Sequence, residues 1–173
     1  LNLQFSRCNR GFGVKMAIPG RMLIFGLGYS AARLAARLRA DGWQVDATGS
    51  AGNLRFDDAD GVRRALAGAT HILSSVPPDA QGDDPVLLRY MHDNRALMGV
   101  NDRDSQRWIG YLSSTGVYGD CGGAWVDESA PLQSTRRNAR ISADLAWQKR
   151  GATVFRLPGI YGPGRSALDR LSA

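Results

Sequence analysis

The residues Gly26-Leu27-Gly28-Tyr29-Ser30-Ala31 follow the apolar run Met22-Leu23-Ile24-Phe25 and open an amphipathic pattern. Glycines and a small residue at this spacing, between a strand and a helix, suit the paired phosphates of a dinucleotide. Gly26 permits the turn, Gly28 lets the backbone approach the pyrophosphate, and Ala31 lets the helix pack close to the strand. The free amides at Tyr29, Ser30 and Ala31 would then receive the negative charge at the positive end of the helix dipole. The alternative is an ordinary tight turn between strand and helix.

Further candidates sit after each later strand, because ligands of such sheets bind at the strands' carboxyl ends. After the second strand, Ala47-Thr48-Gly49-Ser50 offers neither an acid for a ribose hydroxyl nor an arginine for a 2′-phosphate. NAD and NADP therefore both fit. Arg55 would reach a phosphate or lie solvated. Asp57 would accept from an adenine amino group, or the Asp57-Asp58 pair would cap a helix. Val76 and Pro77, with Pro78, would form a donor-poor wall against a ribose, or simply end the third strand. In Leu112-Ser113-Ser114-Thr115-Gly116-Val117-Tyr118-Gly119, Ser114 would hydrogen-bond a substrate oxygen beside the nicotinamide. Such a hydroxyl cluster equally serves as a turn or a cap.

The elements that must position these groups alternate along the chain. Strands are expected at 22–27, 43–48, 70–76, 108–113 and 153–157, and helices at 29–41, 59–67, 85–100 and 134–150. Strand–helix alternation implies parallel strands joined by right-handed crossovers. The expected fold class is α/β, a doubly wound parallel sheet of Rossmann type. With little sequence after 162–164, it would lack most of a C-terminal substrate lobe.

Composition narrows the function classes. The chain has 173 residues, 43% hydrophobic and 22% charged, with a formal net charge of +6. No apolar run approaches the roughly 20 residues a membrane helix needs, so no membrane partner is expected. The basic excess is concentrated in 1–21, which holds Arg7, Arg10, Lys15 and Arg21 and no acid. No basic stretch is interleaved with aromatics, which argues against nucleic acid. Residues 1–20 read as a disordered or non-native leader, and 21–173 as the NAD(P)-binding domain. Cys8 and Cys121 lack metal-ligand spacing and only His71 and His92 carry imidazoles, so no metal site is expected and a reducing, cytoplasmic setting fits.

Three stretches in order, Gly26-Leu-Gly28-Tyr-Ser-Ala31, Ser113-Ser-Thr-Gly-Val-Tyr-Gly119 and Arg156-Leu-Pro-Gly-Ile-Tyr-Gly-Pro163, resemble the short-chain dehydrogenase/reductase superfamily. The resemblance is to its NAD(P)-dependent epimerase/dehydratase branch, in an atypical subgroup, over residues 21–171. It implies that Ser114 is the catalytic Ser/Thr, and that Pro158 to Tyr161 close over the nicotinamide. It also implies a small-molecule substrate and a homodimer paired through the helices at 85–100 and 134–150, whose apolar stripes, with Leu87, Tyr90, Met91, Leu97 and Met98 on the first, would equally serve packing on the sheet.

The departure from that family lies in its Tyr-x-x-x-Lys pair, whose tyrosine transfers a proton and whose lysine tunes it. Lys15 and Lys149 both lack a tyrosine four residues earlier. Counting back from Ala143-Asp144 puts Arg140 in the lysine's place and Arg136 in the tyrosine's. An arginine can hold a ribose but stays protonated, so it cannot shuttle the proton. Arg136, Arg140 and Asp144 would share a helix face, as a solvated stripe or as part of the site. Tyr118 or Tyr161 would replace the missing acid, and Asp127-Glu128 would supply a carboxylate or remain a surface pair. The expected function is an epimerase/dehydratase-like or reductase-like enzyme acting on a nucleotide-sugar or other polar hydroxylated substrate. The alternative is a non-catalytic dinucleotide-binding sensor or scaffold.

Overall fold

The computed structural model describes residues 20–92, 107–133 and 138–166. Five strands, β1 (Arg21–Phe25), β2 (Gln44–Ala47), β3 (His71–Ser74), β4 (Trp108–Ser114) and β5 (Thr153–Leu157), form one sheet in the order β2-β1-β3-β4-β5. Every pairing is parallel. The helices between them are α1 (Tyr29–Ala40), α2 (Ala59–Gly68), α3 (Pro85–Tyr90) and α4 (Asn138–Gln148), with a 3-10 turn at Thr115–Tyr118. This is the α/β doubly wound architecture that the alternation implied. The chain turns back across β1 between β2 and β3, which leaves a crevice at the carboxyl ends of β1 and β3.

Strand alternation divides the apolar residues between two layers. Leu23, Phe25, Ile72, Ile109 and Tyr111 face α2, α3 and α4, and bury Val62, Leu66, Val86, Tyr90 and Trp147 against themselves. Met22, Ile24 and Leu73 face α1 and pack on Ala31 and Ala35. Each fully buried Leu, Ile or Phe contributes about 1.5–3 kcal/mol. Among the described residues only α1 covers the second face. Beyond it lies an open apolar groove of about 680 Å³, lined by residues including Leu34, Leu73, Trp108, Leu112 and Phe155.

The helix ends follow from local chemistry. The Asp58 side chain accepts from the Gly61 amide at 3.0 Å and caps α2, so of the Asp57-Asp58 pair it is the second residue that caps. Asp84 is buried, yet its carboxylate receives the amides of Val86 and Leu87 at 3.0 Å and the Trp147 indole at 2.7 Å. That carboxylate joins α3 to α4. Pro85 then starts α3 at a position where a missing N–H costs nothing.

Several boundaries differ from the sequence expectation. Among the described residues α3 ends at Tyr90, and residues 93–100 of the helix expected over 85–100 lie outside them. β3 ends at Ser74, so Ser75 and Val76 belong to the turn that follows. The helix expected from 134 is described from Asn138, and Arg136 lies outside the described residues, as does the leader up to position 19. No helix among the described residues is long and apolar enough to cross a membrane.

Candidate functional site

The carboxyl ends of the strands open into a cleft of about 460 Å³, whose first wall is the bend between β1 and α1. Gly26 has φ +82°, in the region that favours glycine, and a Cβ there would meet Val76 Cγ2 at 3.0 Å and Ser75 Oγ at 3.1 Å. The conformation is strained for any other residue, and the space beside it is tight. The bend is braced from neighbouring strands: the Gly26 amide donates to Thr48 Oγ1 at 3.1 Å, the Leu27 amide to the Thr48 carbonyl at 2.9 Å, and Ser75 Oγ to the Gly26 carbonyl.

Gly28 differs from Gly26. Its φ of −77° and ψ of −175° suit any residue, and a Cβ there would have nothing within 4 Å. Neither backbone strain nor crowding accounts for glycine at this position. The missing side chain instead keeps open the space in front of the start of α1. No acceptor among the described residues reaches the amides of Gly28, Tyr29, Ser30 or Ala31, and the N-cap supplies no side chain. The donors that a helix start leaves unpaired face an open cradle.

The opposite wall is built from β4, α4 and β5, and here side chains carry the structure. Ser114 lines the cleft at the end of β4, and its Oγ accepts from the Gly116 amide at 3.1 Å to start the 3-10 turn. Ser113 donates to Asp144 Oδ2 at 2.6 Å. Asp144 is fully buried and receives Arg156 at 3.2 and 3.0 Å and Gln148 Nε2 at 2.5 Å. Burial pushes its carboxyl pKa upward, but the hydrogen bonds from Arg156, Ser113 and Gln148 outweigh burial and hold it below the usual carboxylate range. Arg156 also donates to the Tyr118 hydroxyl at 3.0 Å and to the Glu128 carbonyl at 3.2 Å.

Arg140 lines the cleft and donates to the Tyr111 hydroxyl at 3.2 Å. Tyr111 is fully buried and stacks on Trp147. Burial pushes its hydroxyl pKa up to about 12, against the lowering effect of Arg140.

The structure brings some of the expected site residues together and separates others. Gly28, Tyr29, Ser30, Ala31, Pro77, Ser114, Arg140 and Pro158 line one cleft. Gly26 and Val76 stand behind it as the bend and its support. Tyr118 is buried beside Arg156, which donates to its hydroxyl, and it is not among the cleft-lining residues. Asp57 is exposed and bound to Arg55 at 3.0 and 2.8 Å, away from the cleft lining. Of the expected stripe, Arg140 and Asp144 both reach β4, at Tyr111 and Ser113, and Asp144 pairs with Arg156 rather than with Arg140, so these two form no solvated ion pair; Arg136 lies outside the described residues. Tyr161 is 85% exposed, and Asp127 binds the Ser129 amide and hydroxyl on the surface.

Ser75, Ser113 and Arg165 also line the cleft, and sequence reasoning did not single them out for it. For the two serines the signal was present: Ser113 is a hydroxyl near the carboxyl end of one inner strand, and Ser75 directly follows another. Arg165 carried none, since it reaches the cleft only through the path of the chain after β5. The lining contains two arginines and no carboxylate. Among the described residues no group of three or more His, Cys, Asp or Glu side chains is placed to hold a metal ion. The arrangement is suited to a polyanion held on backbone amides, with hydroxyls available to a second polar ligand.

Comparison with protein-family models and with curated proteins finds no match. Among solved structures, a conserved protein of unknown function from Silicibacter pomeroyi is 38% identical, with a TM-score of 0.70 over 88% of this chain and 57% of that one. A short-chain dehydrogenase/reductase superfamily protein from Agrobacterium tumefaciens with bound NAD is 17% identical, with a TM-score of 0.55 over 79% of this chain and 48% of that one. UDP-N-acetylglucosamine 4-epimerase from Bacillus cereus is 12% identical, with a TM-score of 0.55 over 87% of this chain and 65% of that one. The last two share the fold. The chain spans less than two thirds of the length of each of these structures.

Proposed function

We propose that this chain is the dinucleotide-binding part of an NAD(P)-dependent protein of the epimerase/dehydratase or reductase kind, acting on a nucleotide-linked sugar or another polar hydroxylated substrate. The observation that carries this reading is the open space at Gly28 in front of the unpaired amides of Gly28 to Ala31. A nicotinamide dinucleotide fits these residues, with its pyrophosphate on the amides and Pro77 beside a ribose. When bound, such a cofactor supplies a hydride donor or acceptor. The similar solved structure with bound NAD, and the one named a UDP-N-acetylglucosamine 4-epimerase, support the choice of ligand class.

The chain's own groups have distinct tasks. Arg140 is a permanently charged fork that holds a ribose hydroxyl or a phosphate oxygen. Ser114, fixed by the turn it caps, offers its hydroxyl proton to a substrate oxygen. Pro158 and Ile160 form a dry wall on the nicotinamide side. Asp144, Arg156 and Tyr118 hold β5 and the 3-10 turn in register.

A second reading is a dinucleotide-binding sensor without turnover. It is favoured by the absence of the resembling family's Tyr-x-x-x-Lys pair: arginines, Arg136 and Arg140, stand at both places, and an arginine stays protonated and cannot shuttle a proton.

Titration of NADH and NADPH by fluorescence and calorimetry tests the reading. Gly28→Val should abolish binding while the melting temperature stays within a few degrees. Equal binding by Gly28→Val, or none by the unaltered protein, overturns the dinucleotide assignment. Turnover of a panel of UDP-sugars that falls in Ser114→Ala separates enzyme from sensor.

A further inference from the structure

The side chain of Tyr29 has a task separate from its amide. The loop after β5 enters the cleft wall at Pro158 and Ile160 and returns at Arg165. Within it, Gly162 and Arg165 bond to each other, at 3.0 and 2.8 Å. The hydrogen bonds that tie residues 158–165 to the rest of the described chain both end on one atom, the carbonyl of Pro163. Tyr29 donates its hydroxyl to that carbonyl at 3.2 Å and Arg33 its Nη2 at 3.0 Å.

The tyrosine ring is itself held. The Arg33 guanidinium lies 3.6 Å from the ring centroid and that of Arg165 lies 5.4 Å from it. Neither arginine pairs with a carboxylate among the described residues, so both charges remain available to the aromatic face. The loop is shaped for this contact: a Cβ on Gly162 would collide with the Tyr29 hydroxyl oxygen. Glycine there lets the loop come up against the phenol.

We propose that Tyr29 is a positioning residue that clasps the loop at 158–165 onto the start of α1, and that this clasp sets how slowly a bound dinucleotide leaves. The proposal rests on the dinucleotide reading above and extends it to the loop. One residue supplies both parts: its amide belongs to the cradle, and its side chain holds the cover. Replacing the side chain leaves the amide in place, so any change in ligand release arises from the loop. Tyr29→Phe keeps the ring between the guanidiniums and loses the hydroxyl bond, whereas Tyr29→Ala loses both.

Hydrogen exchange and stopped-flow release of NADH test it on the full chain. In Tyr29→Ala, exchange at the amides of Gly162 and Arg165, which are hydrogen-bonded to each other within the loop, should rise about tenfold or more while β4 and β1 stay protected, with Tyr29→Phe between it and the unaltered protein. NADH release should quicken in the same order, with the association rate changing less. Unchanged loop exchange in Tyr29→Ala overturns the clasp. Raised exchange with unchanged NADH release overturns its control of the ligand. If the unaltered protein binds no NADH, the dinucleotide assignment and that control both fall, while exchange still decides the clasp.

Discussion

The two walls of the cleft are built by opposite means. On the α1 side the atoms that would meet the pyrophosphate belong to the backbone, and the missing side chains at Gly26 and Gly28 leave them in reach. On the β4–α4–β5 side the working atoms belong to side chains, and a buried ion pair fixes them. The first wall should therefore tolerate change in stability terms and fail in binding, while the second should fail in stability before its chemistry can be read. Four substitutions or titrations sharpen that contrast.

The largest effect is expected at Asp144. Its side chain is fully buried and receives Arg156, Ser113 and Gln148. Removing one partner of a buried pair leaves an uncompensated charge and costs about 3–5 kcal/mol. Asp144→Ala should lower the unfolding free energy by that amount in urea titration. The sign of the pH dependence follows from its lowered pKa. A carboxyl held low in the folded state adds stability above its unfolded value of about 4, and that stability is lost as pH falls through the folded value. Asp144→Asn should flatten the acid limb of stability against pH. A limb as steep as that of the unaltered protein would show that other carboxylates set it.

Gly28→Val comes next, and it acts on the other wall. The backbone there suits valine and the space is open, so the fold should lose less than about 1 kcal/mol. NADH affinity should fall at least about a hundredfold, or about 2.7 kcal/mol. Urea titration and calorimetry on one sample check both. A variant that unfolds would make the glycine a matter of folding rather than of keeping the cradle clear.

The contrast also explains which parts of the site were legible in the sequence. The bend is local: strand, turn and helix start lie within a dozen residues, and each requirement has its own residue type. Asp144 was legible only as one member of a stripe with Arg136 and Arg140. Periodicity gives the face of a helix without saying whether that face meets the sheet or water. Its partner Arg156 lies on a neighbouring strand, and only β4–β5 pairing brings Ser113, Asp144 and Arg156 together. The same limit applied to Tyr118, whose motif position suggested the cleft, whereas the 3-10 turn delivers it to Arg156. At Asp57 and Asp58 the uncertainty was a single residue, and the helix start chose the second.

A smaller effect belongs to Tyr111 at alkaline pH. Burial raises its hydroxyl pKa to about 12. An acid group raised in the folded state stabilises the fold fully below its unfolded value of about 10, and this is lost as pH rises through the folded value. The window is therefore about pH 10 to 12, and the loss is on the order of 2 kcal/mol. Tyr111→Phe should remove this part of the alkaline limb in thermal melts across the window.

The smallest effect, at Arg140, connects the two walls, because this side chain faces the cleft and also serves Tyr111. If it holds the ligand, Arg140→Ala should weaken NADH binding about tenfold, the value of one charge-assisted hydrogen bond of about 1.4 kcal/mol. The same variant leaves the Tyr111 hydroxyl buried without its partner, which costs about 1–3 kcal/mol of stability. Tyr111→Phe separates these two consequences. In the double variant the stability loss should shrink, since no hydroxyl remains to be satisfied, whereas the tenfold loss of affinity should persist. If affinity and stability recover together, Arg140 acts on the ligand only by keeping β4 and α4 in place, and the cleft's second wall contributes structure alone.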